Sequence, residues 1–217
     1  MPRIPSTAAP HAPGRSKSSR RWLDRHFSDE YVKRAQQAGY RSRAVFKLLE
    51  IQEKDRLLAP GMRVADLGAA PGGWSQIAAR LVGDKGHLVA LDLLPMDPLP
   101  GVTFIQGDFR DEDVLAQLAA QLQGQSADLV LSDMAPNLSG IESVDAAHIE
   151  HLVELALAFA QAHLSVQGAL VTKVFHGSSY DSLFKRLRET FVTVKRIKPK
   201  ASRDRSSETF LVGLVLK

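Results

Sequence analysis

No cysteine occurs in the chain, so a disulfide framework and a thiolate metal site are both excluded. Apolar runs are short: none approaches the roughly 20 residues needed to span a bilayer, and the N-terminus lacks the apolar segment of a secretory signal. The expectation is a soluble, cytoplasmic protein with no membrane association. Metal ligands are scarce too. His148 and His151 stand three apart in a helical stretch, but no third ligand lies at a suitable spacing and zinc sites need three or four. No metal is expected.

Also missing is the Gly-x-Gly-x-x-Gly fingerprint of dinucleotide sites. In its place, Val64 to Ser75 reads Val-Ala-Asp-Leu-Gly-Ala-Ala-Pro-Gly-Gly-Trp-Ser. An apolar run, Met62 to Leu67, enters a turn built from Gly68, Pro71, Gly72 and Gly73, and Trp74 to Val82 then carries Ile77, Ala78, Leu81 and Val82 at helical spacing. Strand, glycine loop and helix open a nucleotide-binding βαβ unit. Glycines let the backbone lie against a ligand, and the helix start presents unpaired N–H groups. Asp66, just before the loop, suits a ligand carrying positive charge better than a pyrophosphate.

Positive charge is unevenly spread. The net charge is +4, yet residues 1–47 hold eleven Lys/Arg against three Asp/Glu, and residues 185–205 hold nine against two. Residues 48–184 hold seven against eighteen. An acidic nucleotide-binding middle lies between two basic flanks. If the flanks converge they form a positive surface beside the ligand site, suited to a phosphate backbone; two solvated, charge-rich ends would give the same count.

A length of 217 residues fits one α/β domain with short appendages. Residues 1–20, rich in Pro, Ser, Ala and Arg, are expected to be a disordered basic tail, although a transit peptide has a similar composition. Residues 21–217 are expected to form a single domain with an N-terminal basic helical extension over about 21–58. Within the extension, Trp22 to Gln37 looks helical, with a second start available at Ser28-Asp29-Glu30, and Ser42 is placed to cap a helix from Arg43 to Lys54. Strands are then expected at Met62–Leu67, Gly86–Leu91, Val102–Gln106, Ala127–Ser132, Gly168–Phe175, Val192–Lys198 and Thr209–Leu216. Helices are expected at Trp74–Val82, Glu112–Gln121, Ala146–Leu164 and Ser182–Glu189. The alternation predicts a seven-stranded, mostly parallel sheet with helices on both faces, ending in an antiparallel hairpin.

Ligands on such sheets bind beyond the carboxyl ends of the strands. Asp92 ends the second strand, nineteen residues past Gly73, where a carboxylate can accept ribose hydroxyls. Asp108 follows the third strand and can take an adenine amino group, Asp133 follows the fourth, and Trp74 can wall the pocket. Each acid alone could equally cap its loop. Lys173, inside the apolar run Ala-Leu-Val-Thr-Lys-Val-Phe, is either at a strand end or buried with partners. Glu208, before Thr-Phe-Leu-Val, poses the same question. With Asp133 they suggest either a catalytic cluster or an ion pair closing the sheet. Lys47 reads, on helical pattern alone, as a solvated lysine. Lys195, Arg196, Lys198, Lys200, Arg203 and Arg205 read as phosphate contacts.

Taken together, Arg41-Ser-Arg-Ala-Val-Phe-Lys-Leu, Asp66-Leu-Gly-Ala-Ala-Pro-Gly-Gly-Trp-Ser-Gln, Asp92-Leu-Leu-Pro-Met-Asp-Pro, Gln106-Gly-Asp-Phe-Arg-Asp, Ser132-Asp-Met-Ala-Pro-Asn, Val171-Thr-Lys-Val-Phe and Ser202-Arg-Asp-Arg-Ser-Ser-Glu resemble the FtsJ/RrmJ family from about Trp22 to the C-terminus. The resemblance implies a Rossmann-like class I methyltransferase fold. It also implies S-adenosylmethionine as cofactor, with S-adenosylhomocysteine as product, and a ribose 2′-hydroxyl as acceptor. In the bacterial branch that acceptor belongs to a uridine of 23S rRNA in the large ribosomal subunit; a monomer is expected. The family's Lys-Asp-Lys-Glu tetrad falls on Lys47, Asp133, Lys173 and Glu208, and its cofactor contacts on Gly72, Trp74, Asp92, Asp108 and Asp133. The implied roles are Lys173 as base, Asp133 and Glu208 as orienting carboxylates, and Lys47 as the group positioning the ribose. A tRNA 2′-O-methyltransferase and an RNA-binding ribosome assembly factor are the alternative readings.

Overall fold

The computed structural model describes residues 29–136, 139–203 and 206–217. The expected tail, the helix start at Trp22 and Arg205 lie outside them. The first described element is helix α1, Glu30–Gln37, whose N-cap Asp29 accepts from the Tyr31 N–H at 3.0 Å. Helix α2, Val45–Asp55, starts later than expected, with Ala44 as N-cap and no side-chain cap bond. Ser42 is therefore not a cap. Its hydroxyl instead stands where a Cβ on Gly73 would be.

Next come strand β1 (Arg63–Leu67), helix α3 (Gly73–Val82), strands β2 (His87–Asp92) and β3 (Val102–Gln106), helix α4 (Glu112–Gln121) and strand β4 (Ala127–Ser132). Helix α5 (Glu142–His163), strand β5 (Leu164–Phe175), helix α6 (Tyr180–Thr190) and the hairpin β6 (Phe191–Ile197) and β7 (Glu208–Leu216) complete the chain. The sheet order is β3-β2-β1-β4-β5-β7-β6. Strand β7 runs antiparallel to both neighbours, and the pairings from β3 to β5 are all parallel. This is the Rossmann-like α/β architecture expected, and its closing antiparallel hairpin enters the sheet with β7 between β5 and β6.

Strand residues alternate between two cores, as the period of two requires. Ala65, Leu67, Val130, Leu170 and Leu211 pack with α4, α5 and α6, through residues such as Leu118, Val153, Ala156 and Leu187. Val64, Leu129, Leu131, Val171, Phe210 and Val212 pack with α2 and α3, through Val45, Leu48, Ile51, Trp74 and Ile77. Each fully buried Leu or Phe stabilises by about 1.5–3 kcal/mol, and α2 is anchored in this core through Val45, Leu48 and Ile51. The same parity places Lys173 with Val171, and Glu208 with Phe210, on the face that α2 covers.

Candidate active site

The glycine loop between β1 and α3 is shaped by protein contacts. Gly68 has φ +77° and a Cβ there would stand 2.9 Å from the Met134 backbone, so only glycine fits between this loop and the one after β4. Gly72, at φ +101°, caps α3. A Cβ on it would meet Met96 Sδ at 2.8 Å and Arg41 Nη1 at 3.0 Å. Arg41 is a clamp that the sequence did not reveal. Its guanidinium donates to the carbonyls of Pro71 (3.3 Å), Asp97 (2.6 Å) and Pro98 (2.7 Å), joining the extension to the loops after β1 and β2.

Three acids crowd the strand ends here. Asp66 is wholly buried, receives one hydrogen bond from Ser75 Oγ at 2.6 Å, and leaves Oδ1 without a partner. Burial, reinforced by the charges of Asp133 and Asp92 and only partly opposed by Ser75, pushes its carboxyl up to about 7. Asp92 accepts from the Ala70 and Leu94 N–H groups, both at 2.8 Å, and so bridges the two loops. Asp108 is gripped by Arg110, with Nη2 to Oδ2 at 2.6 Å, and those hydrogen bonds hold it down to about 2. Carboxylate oxygens have further lone pairs, so both acids remain able to accept from a ligand.

Beside the acids, the four residues of the implied tetrad meet at the open end of the sheet as two ion pairs. Lys173, only 8 % exposed, donates to the Asp133 main-chain oxygen at 2.6 Å. Its Nζ also lies 3.0 Å from Asp133 Oδ1, but without hydrogen-bond alignment, so the contact to that oxygen is electrostatic. Lys47 Nζ lies 2.7 Å from Glu208 Oε1 and 5.7 Å above the Phe210 ring. Burial alone would raise Glu208, but the charge and hydrogen bond of Lys47, with the charge of Lys173, outweigh it and hold the carboxyl below its ordinary value. Trp74 is buried against Phe210, ring centroids 5.5 Å apart, and its indole N–H donates to the Ala44 carbonyl at 2.8 Å.

The described parts of the two basic flanks, residues 29–47 and 185–203, do converge. Glu50 of α2 accepts from the N–H groups of Lys200 and Ala201 at 2.7 and 2.9 Å, and Arg43 donates to the Ala201 carbonyl. An open cavity of about 440 Å³ lies between them, lined by Arg43, Ala44, Lys47, Arg203, Ser206 and Glu208. Of the basic residues read as phosphate contacts, Arg203 faces this cavity. Lys195 instead pairs with Asp55, and Arg196 lies 4.1 Å over the Phe184 ring.

Comparison with known proteins gives a consistent result. The family model described as FtsJ-like methyltransferase matches residues 40–216. A ribosomal RNA large subunit methyltransferase E from Albidiferax ferrireducens is 60% identical over 215 residues, spanning 93% of this chain and 96% of the relative. A protein of the same name from Chromobacterium violaceum is 56% identical over 199 residues, spanning 92% and 97%. Among solved structures, a Plasmodium falciparum protein assigned as a ribosomal RNA methyltransferase superposes with a TM-score of 0.73 at 30% identity, covering 82% of this chain and 98% of that one.

Proposed function

This chain belongs to the FtsJ-like methyltransferase family, and from that premise we propose that it methylates the ribose 2′-hydroxyl of a uridine in 23S rRNA of the large ribosomal subunit. The observation that carries the reading is the pairing of Lys173 with Asp133 and of Lys47 with Glu208 between the glycine loop and a basic cavity. The names of the relatives support the RNA class.

The site fits S-adenosylmethionine on its own chemistry. Asp66 has an orphaned, fully buried oxygen, and Asp92, Asp108 and Asp133 stand at or just past the carboxyl ends of the neighbouring strands β2, β3 and β4, an acidic setting suited to a cationic ligand. Gly72 would hold the cofactor by its main chain, Asp92 by the ribose hydroxyls, Asp108 by the adenine amino group and Asp133 near the amino acid end, with Trp74 as the remaining contact. When bound, the cofactor supplies a methyl group on a sulfonium.

The protein's own residues do the rest. Glu208 fixes Lys47, which holds the acceptor ribose from the cavity side. Asp133 fixes Lys173 beside the 2′-hydroxyl, and Lys173, as the uncharged amine, takes its proton as the oxygen attacks. Alignment of oxygen, methyl and sulfur then dominates the rate, and two ion pairs on different elements provide it.

The test is transfer of labelled methyl from S-adenosylmethionine to large ribosomal subunits lacking native modification, with free rRNA and tRNA in parallel and Lys173→Met as control. Label on subunit ribose that disappears in the variant is expected. Label on tRNA alone would overturn the substrate, and no label on any RNA would favour an assembly factor without catalysis.

A further inference from the structure

One acid on the cavity rim takes no part in the reaction just described. Asp29 Oδ1 caps α1 through the Tyr31 N–H at 3.0 Å, while Oδ2 accepts from Arg43 and lies 3.7 Å from Arg203 Nε. Glu208 is already taken by Lys47. Two guanidinium groups therefore share one carboxylate, and the cavity lining carries three cations against Glu208 alone. Arg43 is nearly buried and its Nε has no partner. Burial and the charge of Arg203 both work against its own charge, with Asp29 the leading counter-charge. Arg203 is 55 % exposed and its contact with Asp29 is beyond hydrogen-bond reach. The two guanidinium groups have one carboxylate oxygen between them.

A phosphodiester supplies what is missing: two unesterified oxygens, one for each planar guanidinium, where the two now share Asp29 Oδ2. At about 440 Å³ the cavity has the size of an ordinary ligand pocket. Lys47 and Glu208, which face the acceptor ribose, line the same space as the two arginines. We propose that Asp29 stands in for an RNA phosphate: in the RNA-free protein its Oδ2 occupies the seat between Arg43 and Arg203, and a phosphodiester beside the acceptor ribose takes that seat on binding. Arg43 stays tied to the Ala201 carbonyl and serves as the fixed half; Arg203, exposed and loosely engaged, swings from carboxylate to phosphate. The α1 cap survives the exchange because it uses the other oxygen of Asp29. The inference rests on the RNA methyltransferase reading.

The experiment uses the full chain and a labelled single-stranded RNA oligonucleotide of mixed sequence, titrated at several salt concentrations. Asn and Ser both keep a capping oxygen, so Asp29→Asn and Asp29→Ser remove the competing charge without removing the cap. At least one should bind RNA ~5-fold more tightly than the wild type, the size of one partly exposed ion pair. Arg203→Gln should lower the slope of log affinity against log salt by about 0.7, one phosphate contact to a single strand. Added to the Asp29 variant, it should erase the gain. If neither Asp29 variant tightens, or the gain survives Arg203→Gln, the stand-in role is wrong. Wild-type methyl transfer measured on the same preparation separates this from the parent reading: its absence there would overturn the enzyme assignment, whatever the binding data show.

Discussion

The two halves of the site are built on opposite plans. On the cofactor side, groups close in sequence are tied by short hydrogen bonds: Ser75 to Asp66, the Ala70 N–H to Asp92, and the Gly68 and Ala69 N–H groups to Leu91. On the acceptor side, residues far apart in the chain are tied by charge, Lys47 to Glu208 and Lys173 to Asp133. The first half gathers carboxyl groups at the strand ends, Asp66 buried and Asp92, Asp108 and Asp133 half-buried, and the second gathers positive charge around an open cavity. In the function proposed, a cationic donor and an anionic acceptor are drawn to adjoining but electrostatically distinct seats.

The sharpest way to break that contrast is Lys173→Met. The lysine is nearly buried, so methionine fills its place, and only the acceptor half loses chemistry. Turnover should fall by about 10²–10⁴-fold or more, while calorimetry should find S-adenosylhomocysteine affinity close to wild type.

The next effect belongs to the cofactor half. Asp66 has an ordinary value of 3.8 and is raised to about 7. Between those values the unfolded chain is ionised while the folded protein holds the proton, so stability declines as pH rises from about 4 to about 7 and then levels off. The full decline is of order a few kcal/mol. Asp66→Asn should abolish it, and urea midpoints measured across that range would show the variant gaining on the wild type as pH increases. Parallel curves would mean that Asp66 is ionised in the folded protein.

The difference in plan also explains what the sequence could disclose. The cofactor half was legible because β1, its loop and α3 are contiguous, and the strand came within one residue of its place, Arg63 rather than Met62. Lys173 stood out as a lysine in an apolar strand. Lys47 did not, because its neighbours Leu48 and Ile51 carry the visible pattern and its partner Glu208 lies at the far end of the chain; only the family resemblance singled it out. Helix α5 begins at Glu142 rather than Ala146 because Asp145 folds back to accept from the Ser139 and Gly140 N–H groups, which orders a start that no periodicity marks. Strand β5 begins at Leu164, directly after α5, with no turn residue to announce it. Arg41, Arg43 and Asp29 were charged residues in a charged flank, with nothing local to say what they touch.

On the acceptor side, a smaller pH effect runs the other way. Glu208 is held below its ordinary 4.5, so the stabilisation from its pairing is complete above about 4.5 and is lost as pH falls through the lower folded value. Lys47→Met leaves burial as the dominant influence on the carboxyl, which then takes up its proton at higher pH. Thermal denaturation in the acid range should show the variant losing stability earlier than the wild type, with the two differing by about 1–2 kcal/mol near neutrality. An unchanged acid limb would mean that Lys47 does not set the state of Glu208.

Trp74 joins the two halves, and the smallest effect tests to which it belongs. It opens α3 next to the glycine loop, yet its ring lies on Phe210 and its indole N–H donates to the Ala44 carbonyl. That carbonyl also accepts from the Lys47 N–H at 3.0 Å, so the oxygen keeps a partner when the indole is removed. Trp74→Phe keeps an aromatic ring against Phe210 and deletes one of two donors, which should cost about 1 kcal/mol or less in stability. A cofactor contact made by the Trp74 main chain survives this change, whereas one made by the indole does not. Expected is S-adenosylhomocysteine affinity within about 2-fold of wild type together with a raised KM for RNA, because the start of α2 and with it Lys47 lose a tether while a 1 Å displacement is enough to slow an aligned transfer. The reverse pattern, weakened cofactor binding with RNA KM intact, would move Trp74 to the cofactor half and leave α2 positioned by its other anchors, Val45, Leu48, Ile51 and Glu50 among them.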